Sequence, residues 1–152
     1  METVSLFGHR RIDNIRACEG DLVSVLEECF QKGGDFRFLI GRNGEFDELA
    51  ASVIKRMGRK FGEERCELCL VIPYKVADLE YYEKYYDSII LPEDLFGLHP
   101  KFAITARNRW MIERSDLVIV YTQRSSGGAY TAKQYAEKIG KSVRALPIQG
   151  DG

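Results

Sequence analysis

The stretch SDLVIVYTQRSSGGAYTAKQYAEKIG, residues Ser115–Gly140, decides the fold. Leu117 to Tyr121 is a continuous apolar run, rich in β-branched residues and without polar alternation. That is the pattern of a strand buried on both faces. Ser125 to Gly128 follows as a polar, glycine-bearing turn. A helical pattern then continues to about Ile139, and Gly140 stops it. A buried strand, a short turn and a covering helix make half of a βαβ unit.

The same alternation extends in both directions. Thr3 to Phe7 reads as a strand stopped by Gly8. Asp21 is placed to cap a helix from Leu22 to about Lys32, with Leu22, Val25, Leu26 and Cys29 on one stripe and Gly33-Gly34 at its end. Phe36 to Ile40 and Leu68 to Ile72 are further strands, and Glu45 to Phe61 is a helix between them. Asp78 to Asp87 pairs its tyrosines four apart, as a short helix would, for packing or as a stacking face for a base. Ser88 to Leu91 is a short strand, Lys101 to Arg114 a helix with Phe102, Ala106 and Trp110 on one stripe, and Val143 to Ile148 the last strand. The expectation is α/β: a single doubly wound Rossmann-like domain over residues 1–152, with a mostly parallel sheet of about six strands. The order 3-2-1-4-5-6 is expected in preference to the flavodoxin-like order.

Composition narrows the function classes. The chain has 152 residues, 45% hydrophobic and 30% charged, and a formal net charge of −1. The longest apolar runs are far short of the roughly 20 residues of a membrane span, and neither a span nor a secretory signal is expected. The near-zero charge argues against nucleic acid held by bulk electrostatics. Cys66 and Cys69 have CxxC spacing, but on a strand such residues point to opposite faces and suit chelation poorly. Buried free thiols, no metal site and a reducing cytoplasm are the expectation.

Ligands of open α/β sheets bind beyond the carboxyl ends of the strands. The residues there are Gly8, His9, Arg10 and Arg11; Gly41, Arg42, Asn43 and Gly44; Pro73, Tyr74 and Lys75; and Thr122 to Gly128. Cations, glycines and hydroxyls thus gather on one rim, where helix N-termini also favour anions. The ligand this predicts is a small phosphate-bearing molecule, most simply a nucleotide. Ser126, Gly127, Gly128 and Thr131 form the best phosphate cradle, although neither GxGxxG nor GxxxxGK[ST] is present. Arg107 and Asn108, inside a helix, need a ligand or an ion-pair partner. Glu45 and Asp47 either complement the helix dipole, bind ribose hydroxyls or act in catalysis. His9 is a ligand contact or a turn residue, and no nucleophile elbow GxSxG accompanies it.

Five segments occur in a fixed order: Leu6–Arg10; Phe46-Asp47 with Ala50-Ala51; Ala106–Met111; Ser115–Tyr121; and Gly127–Thr131 with Tyr135-Ala136 and Gly140-Lys141. The set resembles the YpsA-like proteins of the SLOG superfamily, the Rossmann-like group that includes the DprA and LOG proteins. The resemblance implies a nucleotide-derived ligand, such as an ADP-ribose or NAD-like molecule, in a sensor or regulatory module. It places Gly8, His9, Arg10, Arg107, Asn108, Ser126, Gly127, Gly128 and Thr131 toward that ligand, and Arg42 joins them from its place on the rim. Phe7, Arg42-Asn43-Gly44 and Ala129 depart from the family pattern. The LOG phosphoribohydrolases are less similar, because Gln134 stands where their catalytic Glu belongs, and Gln has no acid–base chemistry. Enzymes acting on a nucleotide N-glycosidic bond, including deoxyribosyltransferases, remain the alternative, with Glu45 or Asp47 as the carboxylate. A homodimer is the expected assembly, because crevice loops in such domains often close against a neighbouring subunit.

Overall fold

The computed structural model describes residues 1–148; the last four positions of the expected 1–152 domain lie outside them. Six strands, β1 (Glu2–Gly8), β2 (Phe36–Ile40), β3 (Cys66–Val71), β4 (Ser88–Ile90), β5 (Leu117–Tyr121) and β6 (Ser142–Leu146), form one sheet. Five α-helices connect them: α1 (Ile15–Gln31), α2 (Glu45–Phe61), α3 (Leu79–Tyr85), α4 (Pro100–Glu113) and α5 (Gly128–Lys138). Every strand pair is parallel, in the order β4-β3-β2-β1-β5-β6. The fold class is the expected one; the order is not. A short fourth strand joins the β3 edge before the chain crosses back, so β1 pairs with β5. The switch in winding direction still falls at β1, where the carboxyl-end crevice opens.

Two apolar layers sandwich the sheet, as continuous strand runs require. On one face, α1 and α2 bury Leu22, Leu26, Phe30, Phe46 and Ile54 against Val4, Phe38, Ile119 and Tyr121. On the other, α4 and α5 bury Met111, Ile112, Ala129, Ala132 and Ala136 against Phe7, Val118 and Val120. The alanines of α5 let it lie close to the sheet. Gly8 does the same for α2: a Cβ there would overlap the Phe46 ring. Cys66 and Cys69 face opposite layers, as their spacing on a strand demands.

Two helices differ from expectation. The first starts at Ile15 behind Asn14, whose side chain accepts the Ala17 N–H; Asp21 lies inside it, and its carboxylate accepts the Ile148 N–H. In α4 the buried face is Ala103, Met111 and Ile112, while Phe102 is 61% exposed. Apolar residues on both sides of α4 make its stripe ambiguous.

Candidate functional site

At the carboxyl ends of β1, β2, β3 and β5 a cavity of about 510 Å³ opens. Of the candidates, Gly8, His9, Arg10, Arg42, Asp47, Arg107, Asn108, Ser126, Gly127 and Gly128 line it together. Glu45 and Thr131 do not. Glu45 Oε2 accepts the Ile12 N–H at 2.9 Å, while the Glu45 N–H donates to the Arg10 carbonyl at 2.8 Å. Its carboxylate therefore fixes the loop after β1. Thr131 Oγ1 donates to the Gly127 carbonyl at 3.0 Å and faces the cleft between α4 and α5.

The wall formed by the loop before α5 is the part best shaped for an anion. Gly127 caps α5 with φ of 93°, which favours glycine, and no side chain makes a capping hydrogen bond to the helix N-terminus. Nothing lies within 4 Å of where a Gly128 Cβ would stand. The helix end faces open space with its dipole uncapped, beside Arg124, which also lines the cavity.

His9 sits between the two halves. It is 8% exposed, and its Nε2 accepts the Gln123 N–H at 3.0 Å, edge-on to Tyr121. The accepting nitrogen is unprotonated, so the ring is neutral. Burial, then the charge of Arg124, hold its pKa below the usual histidine value. His9 thus ties the loop after β1 to the loop after β5, and its role is that of a brace in the cavity wall.

From α4, Arg107 Nη1 donates to the Val71 carbonyl at 3.1 Å and Nε donates to Asn108 Oδ1 at 3.0 Å. Among the described residues no carboxylate forms a salt bridge with Arg107; backbone and amide oxygens take that place. Asp47 is the carboxylate that reaches the cavity. Burial pushes its pKa up to about 6, against the pull of Arg107 and of the Asn43 N–H. A partly desolvated carboxylate beside a guanidinium, in a cleft, has the environment of a functional group. It can accept hydrogen bonds from hydroxyls when ionised and donate one when protonated.

Arg11, Asn43, Tyr74 and Arg124 also line the cavity. They stand directly after strands, and that position was the signal for them. Lys75, expected on the same rim, does not line it. Five arginines and one aspartate surround the space, so the neutral total conceals a local cationic excess. The thiols of Cys18, Cys66 and Cys69 are pushed by burial up to about 12, and none belongs to the cavity. Gln134 donates to the Tyr130 hydroxyl at 3.1 Å, outside the cavity.

No protein-family model matches the chain. No curated protein matches it either. Solved structures do. DNA processing protein A (DprA) of Streptococcus pneumoniae superposes with a TM-score of 0.68 at 18% identity, over 97% of this chain and 51% of that one. DprA of Helicobacter pylori, which binds single-stranded DNA, superposes with a TM-score of 0.65 at 18% identity, over 97% and 66%. The chain spans about half of the first protein and two thirds of the second. It has the Rossmann-like fold of these two DprA structures. That likeness does not reach the YpsA-like subtype. No helix among the described residues is long and apolar enough to cross a membrane.

Proposed function

We propose that the chain binds a small phosphate-bearing, nucleotide-derived ligand in the cavity at the carboxyl ends of the strands, as a sensor or regulatory module. One observation carries the reading: Arg10, Arg11, Arg42, Arg107 and Arg124 converge with the open N-terminus of α5 on one cavity of a protein whose net charge is −1. Cations placed this way concentrate an anion locally. The phosphate sits against Ser126, Gly127 and Gly128, while Asp47 accepts hydrogen bonds from hydroxyls of the attached sugar.

Two tests apply. Thermal shift with AMP, ADP-ribose, NAD and cyclic nucleotides should raise the melting temperature for at least one of them. No response at millimolar concentration rejects the reading. Gly128→Asp adds a carboxylate where space is open, so it should keep the fold and lose the ligand. Unchanged binding by that variant removes the α5 wall from the site.

A second reading draws on the H. pylori protein, which binds single-stranded DNA: here the cavity would take a nucleotide of a single strand. Net charge does not weigh against this, because the arginines are gathered on one rim. Strong salt dependence with oligonucleotides, and none of the gain with mononucleotides, would favour it. An enzyme acting on an N-glycosidic bond would use Asp47 rather than Glu45, which is engaged with Ile12. Release of free base, lost in Asp47→Asn, is the result that would establish that chemistry.

A further inference from the structure

The second wall of the cavity has its own unmet demand. Arg42 Nε is buried with no hydrogen-bond partner. Its Nη1 donates to the Tyr82 hydroxyl at 3.3 Å, and the guanidinium lies 5.7 Å from the centre of that ring. No carboxylate pairs with Arg42 among the described residues. Asp47 and Arg107 bear on each other, and Arg42 adds its positive charge against Arg107. A buried guanidinium nitrogen left unpaired costs free energy unless an acceptor arrives. A neutral acceptor would meet the nitrogen; an anion would also relieve the repulsion between the two arginines.

This demand is far from the α5 wall. Arg42 follows β2, and the α5 turn follows β5, with β1 between them. Two strand spacings of about 4.8 Å separate those chain ends by roughly 10 Å. An extended arginine would bridge that gap, but Arg42 Nη1 is engaged by Tyr82 on α3, between β3 and β4, so its guanidinium is drawn away from β5 and from the phosphate there. Five arginines against one aspartate also exceed what a single phosphate neutralises.

We propose that Arg42, held by Tyr82, forms a second anion subsite, so that the ligand carries two separated phosphates on either side of an uncharged nucleoside. The inference rests on the phosphate site at the α5 wall and extends it. The chemistry is shared by a free nucleoside phosphorylated on its 5′ and 3′ oxygens and by an internal nucleotide of a single strand. Tyr82 limits the swing of the Arg42 side chain, and its ring covers the guanidinium face.

Isothermal titration of the full chain separates the possibilities. The ligands are AMP, adenosine carrying both a 5′ and a 3′ phosphate, and a short deoxythymidine oligomer. The doubly phosphorylated adenosine should bind at least about tenfold tighter than AMP, the usual scale of one charge-assisted contact. Arg42→Met should erase that advantage, weakening the bisphosphate at least about tenfold more than AMP. Arg42→Lys, which keeps the charge and serves if the Met variant fails to fold, should restore only part of it. Tight binding of the oligomer alone assigns the second phosphate to a strand; tight binding of the free bisphosphate assigns it to a small molecule. Equal affinity of AMP and the bisphosphate, with no oligomer binding, overturns the second subsite and leaves the first standing. So does an Arg42→Met loss that is equal for both ligands. Binding of none of the three overturns both.

Discussion

Replacing Asp47 with Asn should gain stability relative to the wild type as pH rises, although it removes a charged residue from beside Arg107. Burial raises the Asp47 pKa from 3.8 to about 6. Each pKa unit is about 1.4 kcal/mol, so ionising this carboxyl in the folded state costs up to about 3 kcal/mol. Water reaching it through the cavity mouth lowers this, and about 1–3 kcal/mol is the working range. The sign follows from the direction of the shift. The folded pKa lies above the unfolded one, so the cost is absent below 3.8, grows between 3.8 and about 6, and is constant above. Hydrogen bonds that the amide makes or breaks add an offset that does not depend on pH. The informative quantity is therefore the change in the variant-minus-wild-type stability between about pH 4 and pH 8, measured by urea titration at each pH. It should rise by about 1–3 kcal/mol, equivalent to roughly 3–10 °C in melting temperature. A flat difference, or one that falls with pH, would refute the claim that the cavity holds a carboxylate at an energetic cost.

Three further outcomes are expected. Gly8→Ala should destabilise by about 1–3 kcal/mol in chemical denaturation, because its Cβ would overlap the buried Phe46 ring; a neutral effect would show that α2 can move away freely. His9 has a lowered pKa, so its contribution is present above the unfolded value of 6.5 and is lost as pH falls through the folded value. Wild-type stability should thus drop below about pH 6.5 with a component missing in His9→Gln, and identical pH profiles would remove His9 as the brace. Native Cys18, Cys66 and Cys69 should resist iodoacetamide at pH 8 and react only after unfolding, as read by intact mass; modification at the rate of a free thiol would contradict their burial.

The fold was legible because its strands are hydrophobic on both faces. Leu117–Tyr121 and Phe36–Ile40 have the same bounds in the sequence reading and in the structure. What escaped was decided by packing that local pattern does not encode. Strand β4 is only three residues long, so nothing local says which edge it joins. The start of α1 was hidden because Gly20 interrupts the stripe and Asp21 looks like a cap. Phe102 suggested a buried stripe that the packing of Ala103 and Met111 displaces by one position. For the site, position after a strand brought most cavity residues into view. Glu45 and Asp47 could not be told apart from type alone; only the backbone of Ile12 shows that the first is engaged. Tyr82 as a partner of Arg42 lies forty residues along the chain, beyond any spacing rule.

Glu45 has a consequence for how tightly a ligand can be held. Its two hydrogen bonds to Arg10 and Ile12 clamp the backbone on both sides of Arg11. The conformational entropy of that loop is surrendered when the chain folds rather than when a ligand arrives. Arg10 and Arg11 then have only side-chain rotamers left to order, at about 0.5–1.5 kcal/mol each. Removing the Ile12 half of the clamp with Glu45→Ala should therefore show up mainly as a less favourable binding entropy, in a residue that does not line the cavity.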